Sequence, residues 1–429
     1  MIKLSLPEVQ QPRVVIVGCG FAGLALARGL RNAACQVVLL DKNNYHSFQP
    51  LLYQVSTAGL EADSIAYPIR KIFKGQQNFH FRWGEVTMVA PSTQTIHTTI
   101  GELHYDYLVL ASGTVTNFFG IEGLAEKSMP MKTVVEALNL RSLILQNFEQ
   151  AILTYDQSKR DALMNFVIVG GGPTGVELAG ALCELKRHVL PNDYPELDFR
   201  KMRVILVESG AEILQMMSKE NQQKAMRYLN DLGAELWLNT KVTKYDGHHV
   251  TTASGKPLET ANLIWAAGVK GALINGFDAA SVLPNQRLVT DPFCRVKGTS
   301  NIFAIGDIGC IISEETPRGH PQVAQVAIQQ GELLAKNLPL IFENNSQLKP
   351  FVYHDKGTMA TVGRNRALVQ AGKIQFGGFI GWVAWLFVHL MAIVGFRNRV
   401  VVFINWIWNY LSYDRNIRLI IRPFRRDKE

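Results

Sequence analysis

Two stretches, "RVVIVGCGFAGLALARGL" and "NFVIVGGGPTGVELAGAL", constrain this chain more than anything else in it. Each opens on an apolar run rich in β-branched residues (14–17 and 166–169), enters a Gly-x-Gly-x-x-Gly turn and leaves on apolar residues at helical spacing. The runs read as buried parallel strands; Leu24, Ala27 and Leu30, like Leu178, Leu182 and Leu185, mark one face of a helix. In the first copy Gly18 permits a tight turn, Gly20 admits a pyrophosphate and Gly23 lets the helix pack close. Phe21 and Ala22 then open a helix whose N–H groups and dipole face phosphate. Gly170, Gly172 and Gly175, with Pro173 and Thr174, repeat the device. Two copies mean two dinucleotides.

The strands that follow support this. Strand 36–40 ends at Asp41, with Lys42 next, where a carboxylate accepts hydrogen bonds from a ribose. The second copy's partner strand, "RVILVESG", comes late and ends at Glu208. An acid there suits the free 2′-hydroxyl of NADH and repels the 2′-phosphate of NADPH, and no Arg follows at 209–211. "YDYLVLASGT" and "ANLIWAAGV" are apolar strands ending in small-residue turns, Ala111, Ser112 and Gly113 in one, Ala267 and Gly268 in the other. Such turns are expected where a chain crosses between two nucleotide domains. "TSNIFAIGDIG" ends a further strand at Gly306 and Asp307; the aspartate can take hydrogen bonds from a flavin ribitol, or cap a helix, or both.

At this point the chain resembles the two-dinucleotide-binding-domain flavoproteins, and within them the type II NADH dehydrogenases, single-subunit NADH:quinone oxidoreductases. "FQPLLYQVSTAGL", "GGGPTGVELAGAL", "FAIGDI", "AQVAIQQG", "DKGTMATVGR" and "GFRNRVVVFINWIWNYLSYDR" carry the resemblance, which covers nearly the whole chain. It implies noncovalent FAD on the first fingerprint, also touching Ala324, NADH on the second, and electron delivery to a membrane quinone without proton pumping. Glu177 can be read as a first-turn carboxylate favoured by the helix N-terminus or as a functional acid. The resemblance implies the second, near flavin, nicotinamide and quinone. Gln325 and Gln329, four apart, share a helical face. The resemblance makes them quinone-site amides and puts Phe48, Gln49 and Pro50 in a segment near the flavin and quinone, which reads equally as loop plus core. Lys356 reads as a contact to the isoalloxazine or to an acidic neighbour, or as a solvated surface lysine.

Five cysteines, Cys19, Cys35, Cys183, Cys294 and Cys310, form no C-x-x-C, and the histidines have no ligand spacing, so no metal is expected. The runner-up enzyme, a sulfide:quinone oxidoreductase, needs a reactive cysteine pair that these contexts do not supply; a membrane-tethered NADH sensor is a third reading. The first residues lack the apolar core of a signal peptide, which points to a reducing cytoplasmic compartment.

The end of the chain raises a separate question. Residues 376–396 are 21 long with one ionisable side chain, His389, so by length they could span a bilayer. Yet small residues recur at Gly377, Gly381, Ala384, Ala392 and Gly395, close to one helical face, as in a helix lying against protein. Beyond them Asn398, Asn405, Asn409, Ser412 and Asn416 fall within a narrow wedge at about 100° per residue. With Trp406 and Trp408 near it and Arg397, Arg399, Arg415 and Arg418 flanking it, this helix is expected in a membrane interface, its arginines on headgroups. Net charge is +8, and 396–429 holds eight basic against three acidic residues, which suits an anionic lipid surface; no nucleic-acid motif accompanies it.

The expected architecture is α/β: two Rossmann-like dinucleotide-binding domains of glutathione-reductase type plus a C-terminal amphipathic helical membrane-attachment region. The boundaries expected are 1–125 and 280–370 for the FAD domain, 126–279 for the NADH domain and 371–429 for the anchoring helices. A homodimer on the cytoplasmic face of the inner (plasma) membrane completes the expectation.

Overall fold

The computed structural model describes residues 3–255, 257–412 and 417–425; Arg415 and Asn416 of the expected tail pattern lie outside them. The chain forms two compact units, one of residues 1–46, 67–115 and 269–355, the other of residues 47–66, 116–268 and 356–429.

The first unit is built on a five-stranded parallel sheet in the order Ile302–Ala304, Tyr107–Leu110, Arg13–Val17, Gln36–Asp41, Phe79–Trp83. The fingerprint strand is central, and Val14, Val15 and Ile16 are fully buried. Helix Phe21–Gly29 packs on helix Ala324–Phe342 through small residues: a Cβ at Gly29 would meet Ala335, and one at Gly331 the Ala22 carbonyl. An antiparallel meander, Val86–Ala90, Thr95–Thr98 and Gly101–His104, is inserted in sequence between sheet strands Phe79–Trp83 and Tyr107–Leu110.

The second unit repeats the plan. Its parallel sheet runs Met129–Pro130, Asn262–Trp265, Phe166–Val169, Val204–Val207, Glu235–Trp237, again with the fingerprint strand central, and it has its own meander from Val242 to Glu259. The long helix Val134–Leu153 starts with a capping box, Thr133 and Glu136 each satisfying the other's backbone N–H.

The boundaries differ from those expected from sequence. Residues 356–370 leave the portion expected for FAD because strand Ala367–Ala371 pairs with both Thr358–Thr361 and Ile374–Gly377 in one antiparallel sheet. The other changes fall at 115/116 and 268/269. Segment 47–66 joins the second unit, where it meets the C-terminal helix.

That helix, Phe396–Ser412, lies with its polar stripe turned inward. Asn398 is 3% exposed and its amide donates to the carbonyls of Asp63, Ser64 and Ala66 at 2.9–3.2 Å. Asn405 donates to Glu61, Trp406 to the Gln54 side chain and Asn409 to the Gly59 carbonyl. Phe403, Ile404, Ile407, Trp408 and Leu411 are exposed. The periodicity is as expected, but its polar face binds protein, because segment 54–66 offers backbone carbonyls that need donors. Arg418 pairs with Asp193 rather than standing free for a headgroup.

The preceding helix is Gly378–Ala392, 15 residues. At 1.5 Å per residue that is about 22 Å, short of the roughly 30 Å of a bilayer's hydrocarbon. Among the described residues no helix is long and apolar enough to cross a membrane. Gly377 and Gly381 sit against the Ala367 carbonyl, as the small-residue stripe suggested, whereas Ala392 is exposed.

Replacing Asn398 by Leu removes the donors of three carbonyls, so the docked helix should weaken by about 1–3 kcal/mol. Limited trypsin digestion should then cut faster at Arg397 and Arg399 while the remainder stays resistant; unchanged cleavage would mean that this amide does not hold the helix.

Candidate functional site

Both glycine turns are closed by the same bond. Asp41 accepts from the Cys19 N–H at 2.6 Å and, with its other oxygen, from the Asn43 N–H at 2.7 Å. Glu208 accepts from the Gly171 N–H at 2.7 Å and from the Gly210 N–H at 2.7 Å. Each acid is thereby fixed beside its turn, with lone pairs left for a ribose diol. Burial holds the Asp41 carboxyl above its usual range, opposed by those two N–H groups and by the nearby, exposed Lys42.

The turns fit a dinucleotide. A Cβ on Gly23 would stand 1.9 Å from the Gly18 carbonyl oxygen, and one on Gly175 1.9 Å from that of Gly170, so helix and turn approach as only glycine allows. At Gly20 and Gly172 a Cβ would meet nothing within 4 Å, which leaves the open face a pyrophosphate needs. No side chain caps either helix, so Phe21 and Ala22, like Pro173 and Thr174, begin helices whose first N–H groups are open to phosphate. The crossing turns lie where expected: a Cβ on Gly18 would touch the Ala111 carbonyl, and one on Gly170 would touch the backbone of Ala266 and Ala267. Ser112 donates to the Ala272 carbonyl and Gly113 accepts from Ala272 N–H, while Gly268 has positive φ.

Asp307 lies in a single 3-10 turn, Gly306–Ile308, and no side chain caps that turn. Its carboxylate accepts from Thr114 at 3.2 Å. The turn is held from behind by residues that the fingerprints did not suggest. Arg287, 5% exposed, donates through Nε to the Asp307 carbonyl and through its guanidinium to the Gly309 carbonyl. Gln330, 2% exposed, accepts from the Gly306 N–H at 2.7 Å. Its signal was present: Val326, Ala327, Gln330, Gly331 and Leu334 are buried at helical spacing, the inner face of helix Ala324–Phe342. Gln329 is bound differently from a quinone ligand. Its amide donates to the His354 carbonyl at 2.9 Å and accepts from the His354 N–H at 3.0 Å. Gln325, half-buried in the first turn, shares its face.

In the second unit Glu177 is the fifth residue of helix Pro173–His188, past the first turn, and it is 7% exposed. Burial pushes its carboxyl up to about 8, partly opposed by the Thr361 N–H at 3.4 Å and by the Trp385 indole, whose Nε1 makes no hydrogen bond of good geometry. The helix terminus therefore does not keep it ionised, and near neutrality it is chiefly a protonated acid that can give and regain a proton.

Aromatic rings surround this region. Tyr53 lies edge-on to Trp385, His389 stacks on Trp385 at 3.9 Å, and Phe48 stands edge-on to His389. His389 donates from Nδ1 to the Trp385 carbonyl, and burial lowers its imidazole to about 4, so it is neutral. Phe48 is buried, Pro50 half-buried and Gln49 exposed; Lys356 is exposed ahead of strand Thr358–Thr361. Tyr53, Thr361 and Trp385 escaped the sequence reading because three separate segments bring them together.

All five cysteines are buried and free. Burial raises every thiol, Cys35 to about 11, Cys183 and Cys294 to about 12. None is a thiolate nucleophile.

Residues 12–331 match the pyridine nucleotide-disulphide oxidoreductase family and residues 355–413 the NDH2 C-terminal domain. A type II NADH:quinone oxidoreductase of Mycobacterium tuberculosis is 35% identical over 427 residues, covering 95% of this chain and 91% of that protein. The chain belongs to the type II NADH:quinone oxidoreductases. The fold agrees: the structure of NDH2 from Plasmodium falciparum in complex with NADH aligns with a TM-score of 0.85 at 21% identity, over 96% of this chain and all of that one. A sulfide:quinone oxidoreductase from Aquifex aeolicus shares the fold at a TM-score of 0.72 and 18% identity, over 94% and 96% of the two chains. The buried thiols argue against that chemistry here. The protein is therefore an FAD-dependent enzyme that oxidises NADH and reduces a quinone.

A carboxyl raised in the fold binds its proton more tightly there than in the unfolded chain, so its contribution to stability is full below about 4.5 and is lost as pH rises through about 8. Glu177→Gln should flatten this part of the stability profile, with a melting temperature that falls less between pH 5 and pH 8 than wild type; parallel profiles would show that Glu177 is ionised in the fold.

Proposed function

We propose that this oxidoreductase holds FAD on the first glycine turn through Gly18, Gly20, Phe21, Ala22, Gly23, Asp41, Lys42, Ala111, Ser112, Gly113, Gly306, Asp307 and Ala324. NADH is held on the second through Gly170, Gly172, Pro173, Thr174, Gly175, Glu208, Ala267 and Gly268. The paired acid-to-turn bonds and the open faces at Gly20 and Gly172 support this assignment. Bound FAD supplies the two-electron centre that takes hydride from NADH and returns electrons to quinone. The chain contributes orientation, exclusion of water and a proton. Glu208 selects NADH by repelling a 2′-phosphate. Glu177 hands its proton to a quinone oxygen and is recharged from solvent, a role supported by its burial and raised carboxyl. Phe48, Gln49, Pro50, Gln325, Gln329 and Lys356 border the quinone, with Gln329 acting through the His354 backbone that it grips. No proton is pumped, since no chain of intramembrane acids is present in the sequence.

Anaerobic NADH should bleach the enzyme's visible absorbance and a soluble quinone should restore it. Glu177→Gln should bleach at the wild-type rate but recover at least tenfold more slowly, the low end of what a positioned general acid contributes. Equal recovery would remove Glu177 from the quinone step.

The outward face of helix Phe396–Ser412 further supports a monotopic enzyme on an anionic lipid surface, where its quinone dissolves. The reduced, unpaired cysteines fit the cytoplasmic face. The enzyme should sediment with anionic vesicles, and Phe403→Ser, Ile404→Ser and Trp408→Ser together should release it; retention would place the contact elsewhere. A homodimer is part of the same reading, and a monomer mass by light scattering in detergent would refute it.

A further inference from the structure

A row of hydrogen bonds runs from the C-terminal helix to the buried acid within the second unit. Trp406 Nε1 donates to Gln54 Oε1 at 2.8 Å, and Gln54 Nε2 donates to the Tyr53 hydroxyl at 3.0 Å. The Tyr53 hydroxyl meets Thr361 Oγ1 at 3.2 Å, and the Thr361 N–H donates to Glu177 Oε1 at 3.4 Å. The direction of the row is fixed at its outer end. An indole N–H can only donate, so it dictates which end of the Gln54 amide faces it. The other end then donates to Tyr53, and between the Tyr53 hydroxyl and Thr361 Oγ1 either atom can donate. The row thus ends on the side chain of the residue whose backbone N–H faces the carboxyl.

We propose that Trp406, Gln54 and Tyr53 form a string of contacts that holds Thr361 so that its backbone N–H stays on Glu177, with Gln54 and Tyr53 as positioning residues, coupling the docked Phe396–Ser412 helix to the protonation of Glu177. Tyr53 and Thr361 are fully buried or nearly so, which strengthens each link and aligns it with the next. Donors aimed at a carboxyl favour its ionised form, so the string opposes the effect of burial. Breaking it leaves Glu177 more firmly protonated.

The other titratable and charged groups brought to this region are few. Tyr53 on helix Leu52–Ser56 has its phenol raised by burial and is neutral, as is His389 on helix Gly378–Ala392. Glu184, further along the acid's own helix, accepts from the Arg364 N–H, and the Arg364 side chain lies over the Tyr410 ring. Lys356 precedes strand Thr358–Thr361. The Trp385 indole, on helix Gly378–Ala392, also acts on the Glu177 carboxyl and is left in place by the substitutions below.

The proposal rests on Glu177 acting in the quinone step, and the test separates the two. The rate at which quinone reoxidises the NADH-reduced holoenzyme is measured against pH for wild type, Glu177→Gln, Tyr53→Phe, Trp406→Phe and Trp408→Phe. Tyr53→Phe should move the titrating limb upward by about half a unit to one unit. Trp406→Phe should move it the same way by less, Trp408→Phe not at all, and the rate of reduction by NADH should be unchanged in all three. If Glu177→Gln abolishes the limb while Tyr53→Phe and Trp406→Phe leave it in place, the string is refuted and the role of Glu177 stands. A limb that survives in Glu177→Gln refutes that role and the string with it. Equal shifts in Trp406→Phe and Trp408→Phe also refute the string, since they would mean a general loosening of the helix.

Discussion

The bond between a backbone N–H of a glycine turn and a carboxylate on the next strand organises this molecule twice. Asp41 closes the first turn on Cys19 and Glu208 the second on Gly171. Each bond ties a loop without regular structure to the end of a buried strand, so the first residues of the following helix present their N–H groups in a set direction. The same carboxylate keeps lone pairs free, so under the proposed assignment the loop's geometry and the cofactor's register are one constraint. The close packing at Gly23 and Gly175 is its steric counterpart.

The buried acid Glu177 obeys the opposite logic. Asp41 and Glu208 keep backbone donors close, whereas at Glu177 burial outweighs the long contact from the Thr361 N–H and the nearby Trp385 indole. A carboxylate at the end of a strand is thus held beside backbone donors, while one inside the helix that follows the second glycine turn is raised by burial. The difference is made by segments far away in the chain, Leu52–Ser56, Thr358–Thr361 and Gly378–Ala392, which wall off Glu177 from water.

This explains what could be read in the sequence. Strands, glycine turns and their acids were legible because each depends on residues within about one supersecondary unit. The helical period of Asn398, Asn405 and Asn409 was legible too, but the side it faces was not, since that depends on carbonyls of residues 59–66 hundreds of positions earlier. Gln329 stood out through the resemblance of its motif, while Gln330, one residue on, holds the turn Gly306–Ile308. Arg287 was invisible because its partners are backbone carbonyls, which carry no residue identity. Tyr53 and Thr361 lie 308 positions apart, and only the fold makes them neighbours.

The five buried thiols have a consequence for durability. Oxidation of cysteine begins with the thiolate and needs access. Here each sulfur is enclosed and its thiol held above its ordinary range by burial, including Cys19 inside the first glycine turn. A sulfenic acid at Cys19 would place bulk and polarity beside the loop that binds the cofactor. By keeping that sulfur protonated and out of reach, the fold removes both conditions that its oxidation needs.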